Sequence, residues 1–217
     1  MPSKIQLSTL LLIAAILWGG SLMVTGIAIP VSWFRPFHFV LGATVASISA
    51  FDLWLWHLSW LQGWFVKRPD IRGTWRGTVR SNWTDLSTGR TAGDIEGYMA
   101  VRQTYSWISL RLMTSESSSE LLGAEIISSR DGTFKIVAVY RNEPKMAVRS
   151  RSPIHHGAII MELIKTPQLA LRGHYWTDRD TNGDIELVAR LPQTFGDFQS
   201  ARDAFVAQVD QSRRAIS

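Results

Sequence analysis

The chain has 217 residues, of which 46% are hydrophobic and 19% are charged, and it contains no cysteine. The lack of cysteine excludes disulfide bonds and thiolate metal ligands, and it fits a reducing compartment without requiring one. The formal net charge is +5 and most basic residues are arginine, which suits recognition of phosphate or carboxylate, although a basic surface near anionic lipid headgroups accounts for the charge as well.

Two long apolar stretches open the chain. Between Lys4 and Arg35 no residue is charged, and between Arg35 and Lys67 only Asp52 is charged. Each stretch is long enough to cross a hydrocarbon core of ~30 Å as a helix. A cleaved signal peptide is the alternative for the first stretch, but the apolar run exceeds the usual ~7–15 residues of a signal core. We therefore predict a transmembrane helical hairpin over residues 1–66.

The distribution of positive charge predicts the orientation of this hairpin. Lys4 precedes the first stretch and several basic residues follow the second, whereas the short connection between the stretches carries only Arg35. The basic residues after the second stretch are Lys67, Arg68, Arg72 and Arg76. Because basic residues near membrane spans stay on the cytoplasmic side, both termini and the domain that follows are predicted to face the cytoplasm.

The second apolar stretch carries small residues at helical spacing, namely Gly42, Ala46 and Ala50. Small residues four positions apart let two helix backbones approach closely in lipid. The partner of this face is either the first helix of the same hairpin or a second copy of the chain. The sequence favours neither alternative.

Asp52 is the one acidic residue within the apolar stretches. A carboxylate at the bilayer centre costs about 2.5–3.5 kcal/mol, so a buried Asp52 would need a donor such as Trp18 or Ser21. The tryptophans that follow, from Trp54 to Trp64, are typical of the headgroup level. We therefore favour a wet position for Asp52 near the cytoplasmic interface, with a buried functional carboxylate as the alternative.

After residue 66 the sequence changes to short alternating segments separated by turn residues, which predicts an all-β domain over residues 67–217. The predicted strands cover about residues 73–82, 94–104, 106–114, 119–129, 133–142, 156–166, 168–177 and 184–191. Links such as Asn182-Gly183 have strong turn chemistry. Eight antiparallel strands joined by short links are able to close into an up-and-down, lipocalin-like barrel without exposed edges.

A C-terminal helix is predicted over about residues 195–213. Its apolar residues recur at intervals of three and four, at Phe198, Ala201, Phe205 and Val209. We expect this helix to cover one opening of the barrel or to lie at the membrane.

Strand alternation assigns side chains to the barrel interior. The residues placed inside on three strands are Leu169, Leu171, Gly173, Tyr175 and Thr177; Trp75, Gly77, Val79 and Ser81; and Ile136, Ala138 and Tyr140. An interior lined by aromatic rings, with arginine at its rim, suits a ligand that has flat rings and phosphates. The alternative is a filled core without a ligand.

Two motifs resemble metal sites but lack the full ligand set. Residues 178–185 match the first half of a calcium loop, but Ala189 stands where a bidentate Glu belongs. His155-His156 has no adjacent acidic residue, so we interpret it as a solvated loop. No catalytic motif is recognisable, and we therefore predict a non-enzymatic protein without a metal or cofactor.

The order of parts resembles a known family. Two N-terminal spans, then Pro69-Asp70-Ile71-Arg72-Gly73-Thr74-Trp75-Arg76-Gly77-Thr78, and then Gly173-His174-Tyr175-Trp176-Thr177-Asp178-Arg179 near the end of a strand-rich domain are similar to the CD-NTase-associated membrane effectors of bacterial cyclic-oligonucleotide anti-phage signalling (CBASS). The Gly73-Thr74-Trp75 opening also resembles the start of lipocalins, a likeness of fold only.

The resemblance implies a membrane-anchored effector of anti-phage defence in the bacterial inner membrane. Its β-barrel would bind a cyclic dinucleotide made by a partner nucleotidyltransferase. Binding would drive homo-oligomerisation and disruption of the membrane, with no role for a nucleic acid polymer. From strand alternation we expect ring stacking or a pocket floor from Tyr175, Tyr140 and Trp75, and phosphate contacts from Arg179, Arg151 and Thr177.

Two other classes of function remain open from the sequence. A membrane-tethered, lipocalin-like carrier of an apolar ligand would have an interior without phosphate-directed arginine. A scaffold that recruits a partner protein to the membrane would have a packed interior. For the effector, we expect Gly42, Ala46, Ala50 and Asp52 to contribute to membrane or oligomer contacts.

Overall fold

The computed structural model describes residues 34–84, 89 and 91–214, together with residues 12, 15, 16 and 18–20, and for residues 34–40 it describes the backbone alone. The chain divides into two compact units, Met1–Lys67 with Thr104–Ser106, and Arg68–Gln103 with Trp107–Ser217. Lys4 and Ser21, which enter the predictions on orientation and on Asp52, lie outside the described residues.

The first unit contains helix α1, Phe34–Leu53, followed by a short 3₁₀ helix, Leu55–His57. The described residues between 12 and 20 are also helical. Trp56, Leu61 and Val66 form a small buried cluster after α1. In the part of the chain that the structure describes, no helix combines the length and the hydropathy needed to cross a membrane.

Asp52, near the end of α1, is only 4% exposed. Its Oδ1 accepts the backbone N–H of Ser106 at 2.9 Å, and its carbonyl accepts the N–H of Tyr105 at 3.0 Å. The expectation of a wet carboxylate is therefore wrong, because a segment distant in sequence covers the side chain. By contrast, Gly42 and Ala46 are exposed and Ala50 is half-buried.

The described residues of the second unit form eight strands, one α-helix and a short 3₁₀ helix, Met146–Val148; the strands and the α-helix confirm the predicted fold of this part of the chain. The strands are β1 Gly73–Ser81, β2 Ile95–Gln103, β3 Ile108–Thr114, β4 Ser117–Ser128, β5 Phe134–Pro144, β6 His155–Ile164, β7 Ala170–Thr177 and β8 Asn182–Leu191. Helix α2 covers Phe198–Arg214.

Each strand pairs antiparallel with the next, and β8 returns to pair with β1. The closing pair runs from Thr74 opposite Leu191 to Ser81 opposite Gly183. Closure satisfies the edges that an open sheet would leave exposed. The sheet is therefore an up-and-down barrel, as predicted.

The Asn182-Gly183 dipeptide is one departure from the prediction. It begins β8, and the preceding turn contains Asp180 with a φ of 57°. A β carbon on Gly183 would lie 1.8 Å from the carbonyl oxygen of Arg80. Gly183 is needed here because the neighbouring strand approaches closely, and the prediction of a turn at this dipeptide is wrong.

A packed apolar core fills one end of the barrel. Trp75 is fully buried there, and its indole N–H donates to the carbonyl of Ile71 at 2.9 Å. Along β2, Met99 and Val101 belong to this core, whereas Tyr98 and Ala100 point to the outer wall. Successive side chains of β2 therefore face the interior and the exterior of the barrel in turn, as the alternation expected for a barrel strand requires.

Helix α2 packs on the outer wall of the barrel. Ala201 and Phe205 are buried against Tyr98, Ala100 and Met113 on the outward side of β2 and β3. This contact with the wall differs from the predicted cover over one opening, while the predicted position at the membrane stays a prediction. The helix is capped by Asp197, whose Oδ1 accepts the N–H of Ser200 at 2.9 Å.

Candidate functional site

A cavity of about 660 Å³ occupies the barrel end opposite the packed core, within the second unit. Its apolar lining includes Val79, Met99, Leu110, Ala138, Ile159 and Ile185. The polar lining comes from the strand ends and loops around this end of the barrel, including Asp94 and Glu96 at the start of β2 and Glu116 between β3 and β4, as well as the ends of β5, β6 and β7 and the loops beyond them. This volume is in the range typical of small-molecule and cofactor sites.

Arg179 is the polar residue whose bonding is least complete at this cavity. It lies in the turn after β7, where its Nη1 is 3.4 Å from the hydroxyl of Ser152. Its Nε is buried and has no hydrogen-bond partner among the residues that the structure describes. Burial lowers the pKa of Arg179 and the nearby Asp178 raises it, but a guanidinium remains charged in proteins. A half-buried, incompletely satisfied cation favours an anionic ligand.

Thr177 shapes the turn that carries Arg179. Its hydroxyl lies 2.6 Å from that of Thr181 and accepts the N–H of Arg179 at 3.3 Å. Thr177 also lines the cavity. Its bonds within the turn indicate that it positions Arg179, in addition to any direct contact with a ligand.

Tyr140 and Tyr175 line the cavity on β5 and β7 and are half-buried. Burial raises the pKa of both phenols, so both hydroxyls are neutral at physiological pH. Gly157 faces Tyr140 across the β5–β6 pair, and a β carbon there would lie 2.5 Å from the Tyr140 hydroxyl. The two rings offer flat apolar surface with a polar edge.

Arginine side chains neutralise three carboxylates that line the cavity. Glu96 pairs with Arg76 at 2.8 Å and Asp94 pairs with Arg80 at 3.2 Å. Glu116 pairs with Arg151, so the guanidinium of Arg151, a predicted phosphate contact, has a protein partner in this structure.

Arg179 makes no such pair with any described residue. Its charge is therefore not held in an ion pair, although the nearby Asp178 raises its pKa. Arg202 is a second lining arginine without an ion pair to a described residue.

His155 also lines the cavity, although the sequence predicts a solvated loop there. It is the first residue of β6 and is 7% exposed. Its Nδ1 lies 3.0 Å from the carbonyl of Pro153. Burial lowers the pKa of His155, so the ring is neutral at physiological pH. The strand begins one residue earlier than predicted, which turns His155 inward and the exposed His156 outward.

The residues predicted to contact a ligand fall into two groups, those that line the cavity and one that lies deeper in the barrel. Tyr140, Tyr175, Thr177, Arg179 and Arg151 all line the cavity. Trp75 does not line it, because its ring lies within the packed core beneath. We therefore assign Trp75 to packing and leave it out of the contacts that we propose for a ligand.

Several lining residues are absent from the prediction. They include His155, Ser152 and Asn142, together with Phe198 and Arg202 of α2. Asn142 continues the inward alternation of Ala138 and Tyr140, so the pattern was available for it. For Phe198 and Arg202 no sequence signal existed, since only the packing of α2 on the outer wall brings them to the rim.

Comparison with known proteins gives three similarities. The model of the Cap15 cyclic dinucleotide receptor domain matches residues 66–189. A CD-NTase-associated protein 15 from Staphylococcus schleiferi is 26% identical over 135 residues, which are 62% of this chain and 67% of that protein. A CD-NTase-associated protein 15 from Yersinia aleksiciae is 30% identical over 105 residues, 48% of this chain and 47% of that protein.

The family match covers the barrel as far as Ala189 in β8, and with it the whole run of cavity residues from Val79 to Ile185. It stops before α2. The similarity therefore concerns the part of the chain that contains the cavity.

Proposed function

Since this chain belongs to the family of the Cap15 cyclic dinucleotide receptor domain, we propose that its barrel binds a cyclic dinucleotide in the cavity above the packed core. The ligand is the product of a partner nucleotidyltransferase, in keeping with the CD-NTase-associated naming of the relatives. The protein acts as a receptor and effector of anti-phage defence. Its chemistry is recognition and assembly, with no bond made or broken in the ligand.

The observation that carries this proposal is Arg179. A half-buried guanidinium whose buried Nε has no partner among the described residues, in the wall of a ligand-sized cavity, creates a demand for hydrogen-bond acceptors with negative charge. A phosphodiester supplies two such oxygens, and arginine matches them in a planar, bidentate geometry. The bridging phosphates of a cyclic dinucleotide meet this demand.

The remainder of the cavity supports a ligand with flat rings. Tyr140 and Tyr175 stand on neighbouring parts of the wall, and the floor is aliphatic. Stacking of a nucleobase on an aromatic side chain contributes about 1–3 kcal/mol per base and tolerates different bases. The cavity therefore combines a cation for phosphate with apolar and aromatic surface for bases.

For the output we propose that residues 1–66 form a transmembrane helical hairpin in the bacterial inner membrane, with the barrel in the cytoplasm. The charge-free sequence from residue 5 to residue 34 supports this, as do Trp54, Trp60 and Trp64, which are exposed in the first unit. Trp residues at such positions suit a headgroup environment.

Ligand binding is proposed to favour homo-oligomers in which the hairpins gather and disrupt the bilayer. The ligand shifts this equilibrium only through its higher affinity for the assembled state. The exposed small residues Gly42 and Ala46 on α1 supply a surface for close helix contact in such an assembly.

The two other classes fit the cavity less well. A carrier of an apolar ligand has no use for the buried, unpaired Nε of Arg179. A recruitment scaffold with a packed interior does not account for about 660 Å³ of open volume. The cyclic dinucleotide receptor accounts for both features.

The proposed function is tested by titrating the full chain in detergent micelles with 3′,3′-cyclic di-AMP, 3′,3′-cyclic di-GMP and 3′,3′-cyclic GMP–AMP, using calorimetry. We expect Arg179→Ala to weaken the tightest of these by about 10- to 150-fold, the equivalent of ~1.5–3 kcal/mol for a charge-assisted hydrogen bond. The matched control is Arg172→Ala, because Arg172 lies on β7, the strand that leads into the turn of Arg179, but its side chain is exposed and pairs with Glu186 at 2.7 Å.

An unchanged affinity in a folded Arg179→Ala protein would reject this site. Equal weakening by both variants would assign the effect to general positive charge. Binding of the corresponding linear dinucleotides as tightly as the cyclic ones would argue against recognition of the ring.

A further inference from the structure

His155 has one nitrogen committed to the protein and one that is available to a ligand. A carbonyl oxygen only accepts hydrogen bonds, so the contact of Nδ1 with Pro153 at 3.0 Å places the proton of the neutral ring on Nδ1. Nε2 then carries a lone pair. No described residue donates to Nε2, and the ring lines the cavity. The wall therefore presents a hydrogen-bond acceptor that is fixed by burial.

Arg179 stands beside this acceptor. In the antiparallel register of β6 and β7, Gly157 pairs with Thr177, and the N–H of Asp178 continues the ladder to the carbonyl of His156 at 3.0 Å. One further step brings His155 opposite Arg179, with both side chains on the inner face. A positively charged hydrogen-bond donor and a neutral hydrogen-bond acceptor thus lie next to each other on the wall.

These two groups make different demands on one ligand. The guanidinium of Arg179 attracts phosphate oxygens, but the lone pair of Nε2 repels them, since both are acceptors. Nε2 must instead meet a donor that lies close to the phosphate. In a ribonucleotide the nearest such donor is the free hydroxyl on the ribose carbon next to the one that carries the phosphate, while the N–H groups of the base lie farther away.

We propose that His155 Nε2 accepts a hydrogen bond from the free ribose hydroxyl adjacent to the phosphate that Arg179 binds. This deepens the proposed function and rests on it. His155 is then a specificity-determining residue that distinguishes ribose from deoxyribose. Because that hydroxyl is 2′ in a 3′-linked ligand and 3′ in a 2′-linked one, the same contact makes the site sensitive to the linkage.

The test compares two probes on the full chain in detergent. One is the tightest ligand among the three 3′,3′-linked cyclic dinucleotides named above, and the other is the same compound with hydrogen in place of both 2′-hydroxyls. We expect the native chain to bind the ribose form about 2- to 12-fold more tightly, the range of one net hydrogen bond.

Two substitutions separate recognition from a purely structural role. The amide of Asn reaches the position of Nδ1, so His155→Asn keeps the bond to Pro153 but removes the acceptor, and we expect it to bind both probes equally. The amide oxygen of Gln reaches the position of Nε2, so His155→Gln should still prefer the ribose form. If His155 acted only through its bond to Pro153, the outcome would be reversed: His155→Asn would keep the preference for the ribose form and His155→Gln would lose it. The matched control is His156→Asn, since His156 is exposed and points outward.

The outcomes are distinct. The assignment to His155 is overturned if the native chain binds both probes equally, or if His155→Asn still discriminates fully between them. In either case the proposed function stands as long as binding depends on Arg179. Failure of the native chain to bind any of the three cyclic dinucleotides overturns both. Loss of discrimination in His155→Asn alone, with His156→Asn unchanged, supports the assignment.

Discussion

At the scale of single residues, the site depends on polar side chains that use only part of their hydrogen-bonding capacity within the protein. The guanidinium of Arg179 has Ser152 near one nitrogen and no partner at Nε. His155 is bonded at Nδ1 and open at Nε2. Burying polar groups in this condition costs stability, and a ligand that completes their bonds recovers that cost. A ligand that completes these bonds is therefore expected to stabilise the barrel.

His155 also makes the stability of the barrel depend on pH. Burial lowers its pKa below the ordinary 6.5, with Arg179 and His156 acting in the same direction and Asp178 and the bond to Pro153 opposing them. Between the folded pKa and the ordinary 6.5, the unfolded chain therefore binds more protons at His155 than the folded chain does. The contribution of His155 is fully present above that pH and is lost as the pH falls through the folded value.

We expect the free energy of unfolding of the barrel to fall between pH 7.5 and pH 5.5, and to fall less in His155→Asn. Chemical denaturation of the full chain in detergent, followed by near-ultraviolet circular dichroism, measures this. Asp70 and Asp178 have pKa values lowered from 3.8, so they remain charged in this window and act only at lower pH. If the native chain and His155→Asn lost the same free energy of unfolding between these pH values, His155 would not be the source of the pH dependence.

At the scale of elements, the narrow barrel requires close approach of neighbouring strands. Gly173 in β7 shows this, because a β carbon there would lie 1.9 Å from the carbonyl oxygen of Ile160 in β6. The obstacle is backbone, so it cannot rotate away as a side chain would. Glycines at such positions allow the strong coiling that closes a small barrel.

We expect Gly173→Ala to lower the free energy of unfolding by about 1–3 kcal/mol or more, as overpacking does in well-packed interiors. Denaturation of the full chain in detergent measures the change. Gly123→Ala is the matched control, because Gly123 lies in β4 and its β carbon would have no neighbour within 4 Å. If both variants were equally stable, the close approach at Gly173 would not limit the fold.

At the scale of the whole molecule, the chain combines a unit with exposed apolar side chains and a unit with a ligand-sized cavity. The proposed function connects them by linkage: the barrel binds, assembly follows, and the helices act on the membrane. This order predicts that binding and membrane damage are separable by mutation.

We expect Gly42→Leu combined with Ala46→Leu to keep ligand binding and abolish membrane permeabilisation. Leucine favours the membrane, so insertion is retained, while its bulk prevents close contact of helix backbones. Dye uptake by cells that co-express the partner nucleotidyltransferase measures the output, and calorimetry measures binding. Thr44→Leu is the control, because 3.6 residues per turn place Thr44 about 160–200° around α1 from Gly42 and Ala46, on the opposite side of the helix.

Undiminished dye uptake in the Gly42 and Ala46 variant would show that contact through this face is not the output step. Recruitment of another protein to the membrane would then be the better hypothesis.

Most of the barrel could be predicted because its signals are local. Alternation along β7 assigned Tyr175 and Thr177 to the interior, and both line the cavity. Arg179 was within reach of the same pattern, as the residue two positions beyond Thr177. The error at Asn182-Gly183 arose because a dipeptide typical of turns is also what a close neighbouring strand requires.

The sequence by itself determined the change from apolar stretches to alternating strands, the number and order of those strands, and their inward faces, since these follow from periods of a few residues. Only the tertiary structure decided that Trp75 belongs to the packed core while His155 faces open volume, because depth in a barrel depends on how eight strands stagger. It also decided that Asp52 is covered by residues 105 and 106 and that α2 lies on the outer wall. Such contacts join residues far apart in the chain, and no local pattern of side chains encodes which distant segment will arrive.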